Sequence, residues 1–192
     1  MGVDFILASQ SPYRKELLSK ILNSFHTENP ALNEEFLQES YVGSPLDLAS
    51  YLAQKKAESL RPHHPKAWIL GSDQVLLFQG RALSKPHSRK EAENRLSQLQ
   101  GHSHQLITAF CLLGPDKVLE NQVISTLTMH KLTANQIQHY LDLDNGVGCA
   151  GAYKIEAHGA SLFSRVETED FFSIIGLPLF SLSQFLRTEG II

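Results

Sequence analysis

Four short polar motifs border the apolar runs of this chain: Ser9-Gln10-Ser11-Pro12-Tyr13-Arg14-Lys15, Gly71-Ser72-Asp73-Gln74, Ser84-Lys85-Pro86 and Cys149-Ala150-Gly151-Ala152-Tyr153. Runs such as Val3 to Ala8 and Ala67 to Leu70 have the length and composition of buried strands, so motifs fall where strands should stop. Functional groups of α/β proteins gather at such strand ends and in the loops that follow them. This pattern points to a site as well as a core.

Helix signals fill the intervals. Ser11-Pro12 supplies an N-cap and a proline for the first turn, predicting a helix from about residue 12 to 22 with Leu17, Leu18, Ile21 and Leu22 on its apolar face. Ser44-Pro45 repeats the signal for a second helix that stops near Arg61-Pro62. After Ala67 to Leu70 and the Gly71 motif, Val75 to Phe78 resumes the strand, Gln79-Gly80 turns it, and the chain pairs back from Leu83 onward. Ser88 with Glu91, and Thr133 with Gln136, fit capping boxes that open two more helices. Leu106 to Leu113 and Val118 to Met129 read as a hairpin about Gly114-Pro115-Asp116-Lys117, and a last helix runs from about Pro178 to Leu186. With no repeat, low-complexity tract or linker, residues 1–192 are expected to form a single domain, a mixed sheet with helices packed around it.

Composition removes whole classes of function. Hydrophobic residues at 42% and charged residues at 19% describe a globular chain. A net charge of -3 gives no broad attraction to nucleic-acid backbones or anionic membranes, and no basic-aromatic stripe is present. Two cysteines, Cys111 and Cys149, make neither a disulfide framework nor a zinc site. With no leader-like start and no apolar run near the length of a membrane span, the expected setting is the cytoplasm.

The chemistry-bearing residues form a coherent inventory. Ser9, Ser11, Arg14 and Lys15 at a helix start could simply cap and solvate that turn, or could bind phosphate. Asp73 could be a turn-former, or a carboxylate that holds a divalent cation or orients water for attack on phosphorus. Lys85 has a restrained backbone beside Pro86, one of Lys55 and Lys56 should face solvent, and Glu34 lies in an acidic stretch that ordinarily forms a solvated loop. Together these hydroxyls, cations and carboxylates suit a substrate with several negative charges and a bridging metal. His63-His64 and His102-Ser103-His104 lack zinc-site spacing and read as surface or loop residues, while Trp68 and Phe171-Phe172 read as core.

From Phe5 to about Glu189 the motifs resemble the Maf family, the septum-formation-inhibitor-like nucleotide pyrophosphatases. The resemblance is carried by Ser9-x-Ser11-Pro12-x-Arg14-Lys15, Glu34, Gln54-Lys55-Lys56-Ala57, Gly71-Ser72-Asp73, Lys85-Pro86, Ala150-Gly151-Ala152-Tyr153 and Gly176-Leu177-Pro178-Leu179. It implies an elongated, two-lobed, ITPase-like α/β fold with the active-site cleft between the lobes, often as a homodimer. It also implies hydrolysis of a nucleoside triphosphate between the α- and β-phosphates with Mg²⁺ or Mn²⁺. Asp73 would be the general base or water-orienting carboxylate and, with Glu34, would meet the metal; Ser9, Arg14, Lys56 and Lys85 would grip phosphates.

Four departures indicate substrate. Tyr13, Gln74, Cys149 and Glu156 stand where the dTTP- and UTP-hydrolysing branch has arginine, threonine, lysine and glutamine, and they resemble the branch that hydrolyses 7-methyl-GTP. Methylated guanine is cationic, so a pocket that loses Lys and Arg and gains Glu156 should accept it, with a cation–π face from Tyr13 or Tyr153. Ser84 and Thr168 replace glycines common in the family. A dTTP/UTP pyrophosphatase and a regulatory septum-related binding protein are the competing expectations.

Overall fold

The computed structural model describes residues 3–192. Strand β1 (Phe5–Ala8), buried at every position, is followed by helix α1 (Pro12–Ser19). Then come β2 (His26–Glu28), α2 (Glu34–Glu39), α3 (Leu48–Leu60), β3 (Trp68–Phe78), β4 (Arg81–Leu83) and α4 (Arg89–Leu99). The hairpin strands β5 (Ser103–Leu113) and β6 (Val118–Met129), helix α5 (Ala134–Leu143), a 3-10 turn (His158–Leu162), β7 (Phe163–Glu167), α6 (Phe171–Ile175) and α7 (Leu179–Thr188) complete the chain.

The seven strands form one sheet in the order β2-β1-β3-β5-β6-β7, with β4 paired to β3. It is mixed: β1 lies parallel to β2 and β3, whereas β3–β4 and β6–β7 are antiparallel. The expected α/β class is therefore the observed one. Helices flank a sheet whose parallel part, β2-β1-β3, sits beside an antiparallel region.

The backbone groups into two compact units. One comprises residues up to Gln74, Thr108–Val123 and Asp170–Ile192; the other comprises Val75–Ile107 and Ile124–Glu169. The first has a core of Phe5, Leu7, Leu17, Leu18, Leu70, Phe110, Leu177 and Leu182, with Trp68 and Phe172 packed at its margin. In the second, Leu96 and Leu99 of α4, Leu106 of β5 and Ile137 of α5 are buried, and the Arg89 guanidinium donates to the Leu141 carbonyl at 2.8 Å, tying α4 to α5. No helix among the described residues is long and apolar enough to cross a membrane.

Local chemistry explains most element boundaries. Ser11, Ser88 and Thr133 accept from the backbone N–H three residues on, and the Thr133/Gln136 box is closed in both directions. Four features differ from expectation. The strand does not pause at Gly71-Ser72-Asp73-Gln74 but runs unbroken from Trp68 to Phe78. Glu34 lies in a helix instead of a solvated loop, because Asn33 Oδ1 caps the Phe36 N–H at 3.0 Å and Glu34 and Glu35 favour the positive helix start. β5 starts at Ser103, so alternation carries His104 inward to 2% exposure while His102 stays outside. Phe171 also departs from the core expectation, being largely exposed.

Candidate active site

The parallel pairing of β1 with β3 ends at Ala8 and Gly71. β3 outlasts its neighbour, so Ser72, Asp73 and Gln74 stand just beyond the carboxyl end of β1, a position at which α/β sheets place ligands. The loop leaving β1 winds back at once: the Ser9 N–H donates to the Leu7 carbonyl at 2.9 Å, and Ser9 Oγ accepts from the Ser11 N–H at 3.1 Å. Ser9 is buried, Tyr13 is half-buried and Lys15 is exposed.

Gly71 brings the helix to the strand. A Cβ there would lie 2.1 Å from the Ala53 carbonyl oxygen and 2.8 Å from the Ala57 nitrogen, so only glycine lets α3 rest against β3. This contact carries Lys56 onto Asp73. The Lys56 ammonium lies 2.5 Å from Asp73 Oδ1 and 2.7 Å from Glu34 Oε2. Asp73 is 1% and Lys56 5% exposed, whereas neighbouring Lys55 turns to Glu58 at 2.7 Å.

Arg14 closes the other side. Its Nη2 is 4.0 Å from Asp73 Oδ1, and its Nε donates to the Gly176 carbonyl at 3.0 Å. Gly176, at φ 132°, caps α6 and also accepts from Ser72 Oγ at 3.2 Å. Asp170 fastens this corner: Oδ1 accepts from the Phe172 N–H at 3.0 Å and Oδ2 from the Phe180 N–H at 2.7 Å. Burial raises the Asp170 carboxyl above the usual carboxylate range. Gln74 belongs to the same frame, its amide donating to Thr108 Oγ1 and the Ser173 and Ile174 carbonyls. Gly176 and Asp170 were absent from the sequence reading as site supports. The N-cap signal of Asp170 before Phe171-Phe172 was present, but its second bond, to Phe180, is tertiary.

Ser9, Arg14, Glu34, Lys56, Asp73 and Gln74 thus belong to one unit, with Arg14, Glu34, Lys56 and Asp73 joined through ion pairs. Two carboxylates are matched by two cations, so an arriving polyphosphate brings negative charge that the cluster does not balance. Among the described residues no group of three or more His, Cys, Asp or Glu is gathered for a metal. Asp73 and Glu34 nonetheless fit the mode in which Mg²⁺ is bound through one or two carboxylates and completed by substrate phosphates and water.

Lys85 and Glu156 lie in the other unit, where both are exposed. Cys149 is half-buried, and neither Cys149 nor the buried Cys111 forms a disulfide. Tyr153 is 6% exposed, packed edge-on to Phe163 at 4.7 Å, with its hydroxyl 2.8 Å from His104 Nε2. Tyr153 thus presents little ring surface, whereas Tyr13 is half-buried. Arg95 was also unread in the sequence: its guanidinium donates to the Ala150 and Ser84 carbonyls, both at 2.8 Å.

Residues 4–189 match the family described as Maf-like protein. The chain is 40% identical over 186 residues to a protein of Bdellovibrio bacteriovorus named 7-methyl-GTP pyrophosphatase, covering 97% of each. It is 38% identical over 185 residues to one of the same name from Xanthomonas oryzae pv. oryzae, covering 96% of each. A Latilactobacillus sakei protein named dTTP/UTP pyrophosphatase is 36% identical over 183 residues, covering 95% of this chain and 99% of that one. A family match across nearly the whole length, with the motif residues Arg14, Lys56 and Asp73 assembled at the end of the parallel strands, establishes that the chain belongs to the Maf-like proteins.

Proposed function

We propose that this chain is a nucleoside triphosphate pyrophosphatase that removes 7-methyl-GTP from the nucleotide pool. The supporting observation is the buried cluster in which Lys56 bridges Asp73 and Glu34 while Arg14 flanks Asp73. Phosphoanhydride hydrolysis asks for positioned water and offset charge, with little covalent work from the protein.

In this reading water adds across the α–β anhydride, giving a nucleoside monophosphate, pyrophosphate and a proton. Asp73 orients the water, its own position held by Lys56. Arg14 and Lys56 offset phosphate charge, and Ser9 contributes a hydroxyl from the adjoining loop. Asp73 and Glu34 would hold a divalent cation, which when bound supplies Lewis-acid polarisation of phosphate oxygens. Gln74 acts through the frame, since its amide is committed to Thr108 and the α6 carbonyls.

The choice of 7-methyl-GTP rests on Tyr13, Gln74, Cys149 and Glu156, and on the names of the Bdellovibrio and Xanthomonas relatives. Lys85 is assigned to the phosphates and Glu156 to the base on the family resemblance. The deciding experiment measures pyrophosphate release from 7-methyl-GTP, GTP, dTTP, UTP and CTP with Mg²⁺, Mn²⁺ or EDTA, with Asp73→Asn in parallel. Metal-dependent preference for 7-methyl-GTP that is lost in Asp73→Asn supports the proposal. Preference for dTTP or UTP overturns the substrate, and hydrolysis of none overturns the activity.

A further inference from the structure

Arg95 projects from α4 without a carboxylate partner among the described residues, and it is half-buried. Burial of a guanidinium is costly unless its donors are used, and here two are spent on backbone. One Nη donates to the carbonyl of Ala150 and the other to that of Ser84, each at 2.8 Å. Ser84 immediately precedes Lys85, and Ala150 immediately follows Cys149. The two loops are joined a second time by the Gly148 N–H, which donates to the Pro86 carbonyl at 2.9 Å.

The Gly146 to Tyr153 segment is otherwise folded upon itself. The Cys149 N–H reaches Gly146 and the Ala152 N–H reaches Cys149, while Ala152 holds φ 60°. A Cβ on Gly146 would stand 2.0 Å from the Ala152 oxygen, and one on Gly151 would strike the Tyr153 ring. At the far end, His104 holds the Tyr153 hydroxyl. The Arg95 side chain joins this segment to the Lys85 loop.

We propose that Arg95 is a positioning residue whose planar fork fixes the spacing between the Lys85 loop and the Cys149 loop, keeping the phosphate-binding lysine in register with the base-selecting segment. This rests on the function proposed above, which assigns Lys85 to phosphate and Cys149 with Glu156 to base choice. Two divergent bonds from one rigid plane set a distance between their acceptors. A lysine, a single flexible point charge, cannot reproduce that constraint.

The test compares the parent enzyme with Arg95→Lys, Arg95→Ala and Lys85→Ala. Arg95→Lys should lower kcat/KM for 7-methyl-GTP by about tenfold to a hundredfold, mainly through KM, and should shrink the preference over GTP, as small misplacements of binding groups do. Amide hydrogen exchange should quicken in peptides covering 82–88 and 146–153 and stay unchanged in α3 and β1. Millimolar guanidinium ion should restore part of the activity of Arg95→Ala, which a misfolded variant could not show. If Arg95→Lys matches the parent in kinetics, preference and exchange while Lys85→Ala is impaired, the positioning role is overturned and the proposed function stands. If Lys85→Ala is silent in an active parent, or the parent hydrolyses no triphosphate, the functional reading fails and takes this role with it.

Discussion

Lys56 Nζ lies 2.5 Å from Asp73 Oδ1, a contact between a helix and a strand seventeen positions apart that is almost wholly removed from solvent. A buried pair of this kind is costly to break from one side, because the surviving charge keeps its desolvation penalty. Lys56→Met should therefore destabilise the protein by about 3–5 kcal/mol. Asp73→Asn keeps an acceptor for Lys56 and should cost less, about 1–3 kcal/mol. Both should lower kcat by about a hundredfold or more, so denaturant melts and kinetics on the same samples separate the two roles.

Gly71 sets that contact by letting α3 approach. Gly71→Ala would drive its Cβ into the Ala53 carbonyl oxygen and the Ala57 nitrogen, both backbone atoms that move only with the helix. The expected result is a loss of about 1–3 kcal/mol in urea unfolding. Activity should fall further than at a remote site of equal destabilisation, because Lys56 shifts with α3. Native stability would refute the close packing.

His104 gives a pH-dependent stability. Burial first, and the charge of Arg95 second, lower its pKa from the usual 6.5 to about 4. The unfolded chain takes up a proton below 6.5 while the folded chain resists until about 4, so stability is full at neutral pH and falls as pH drops through that window. The interval corresponds to about 3 kcal/mol. His104→Phe, which also removes the unpartnered Nδ1, should flatten this part of the pH–stability curve. An unchanged slope between pH 6.5 and 4 would refute the assignment.

Glu156 and the methylated base should interact through charge. Glu156→Gln should reduce the 7-methyl-GTP to GTP preference by about fivefold, a value appropriate to an exposed single-charge contact. The effect should weaken in high salt. Equal kcat/KM ratios for parent and variant would remove Glu156 from base choice.

Much of the fold was legible because its signals are local. The proline and hydroxyl caps at Ser11, Ser88 and Thr133, the 114–117 turn and the apolar periodicity of α3 act within one or two turns of chain, and their elements appear close to the expected places. The short pieces β2, β7 and α6 were not delineated from pattern alone, and β4, expected from Leu83 onward, instead covers Arg81–Leu83. Segments of three to five residues carry little periodicity and are stabilised by the neighbours they pair with or pack against.

The site divides in the same way. Residue type and spacing were enough to nominate Ser9, Arg14, Asp73 and the Lys55-Lys56 pair as groups suited to phosphate, whereas the roles given to Lys56 and Glu34 came from the family resemblance. Which of Lys55 and Lys56 turns inward, that Gln74 serves the frame, that His104 is buried, and that Arg95 links two loops all depended on contacts between residues distant in sequence. Propensity and capping are properties of a segment, so a linear chain displays them. Burial and the partner of a charge arise only when separate segments share the same space, and tertiary packing alone specifies them.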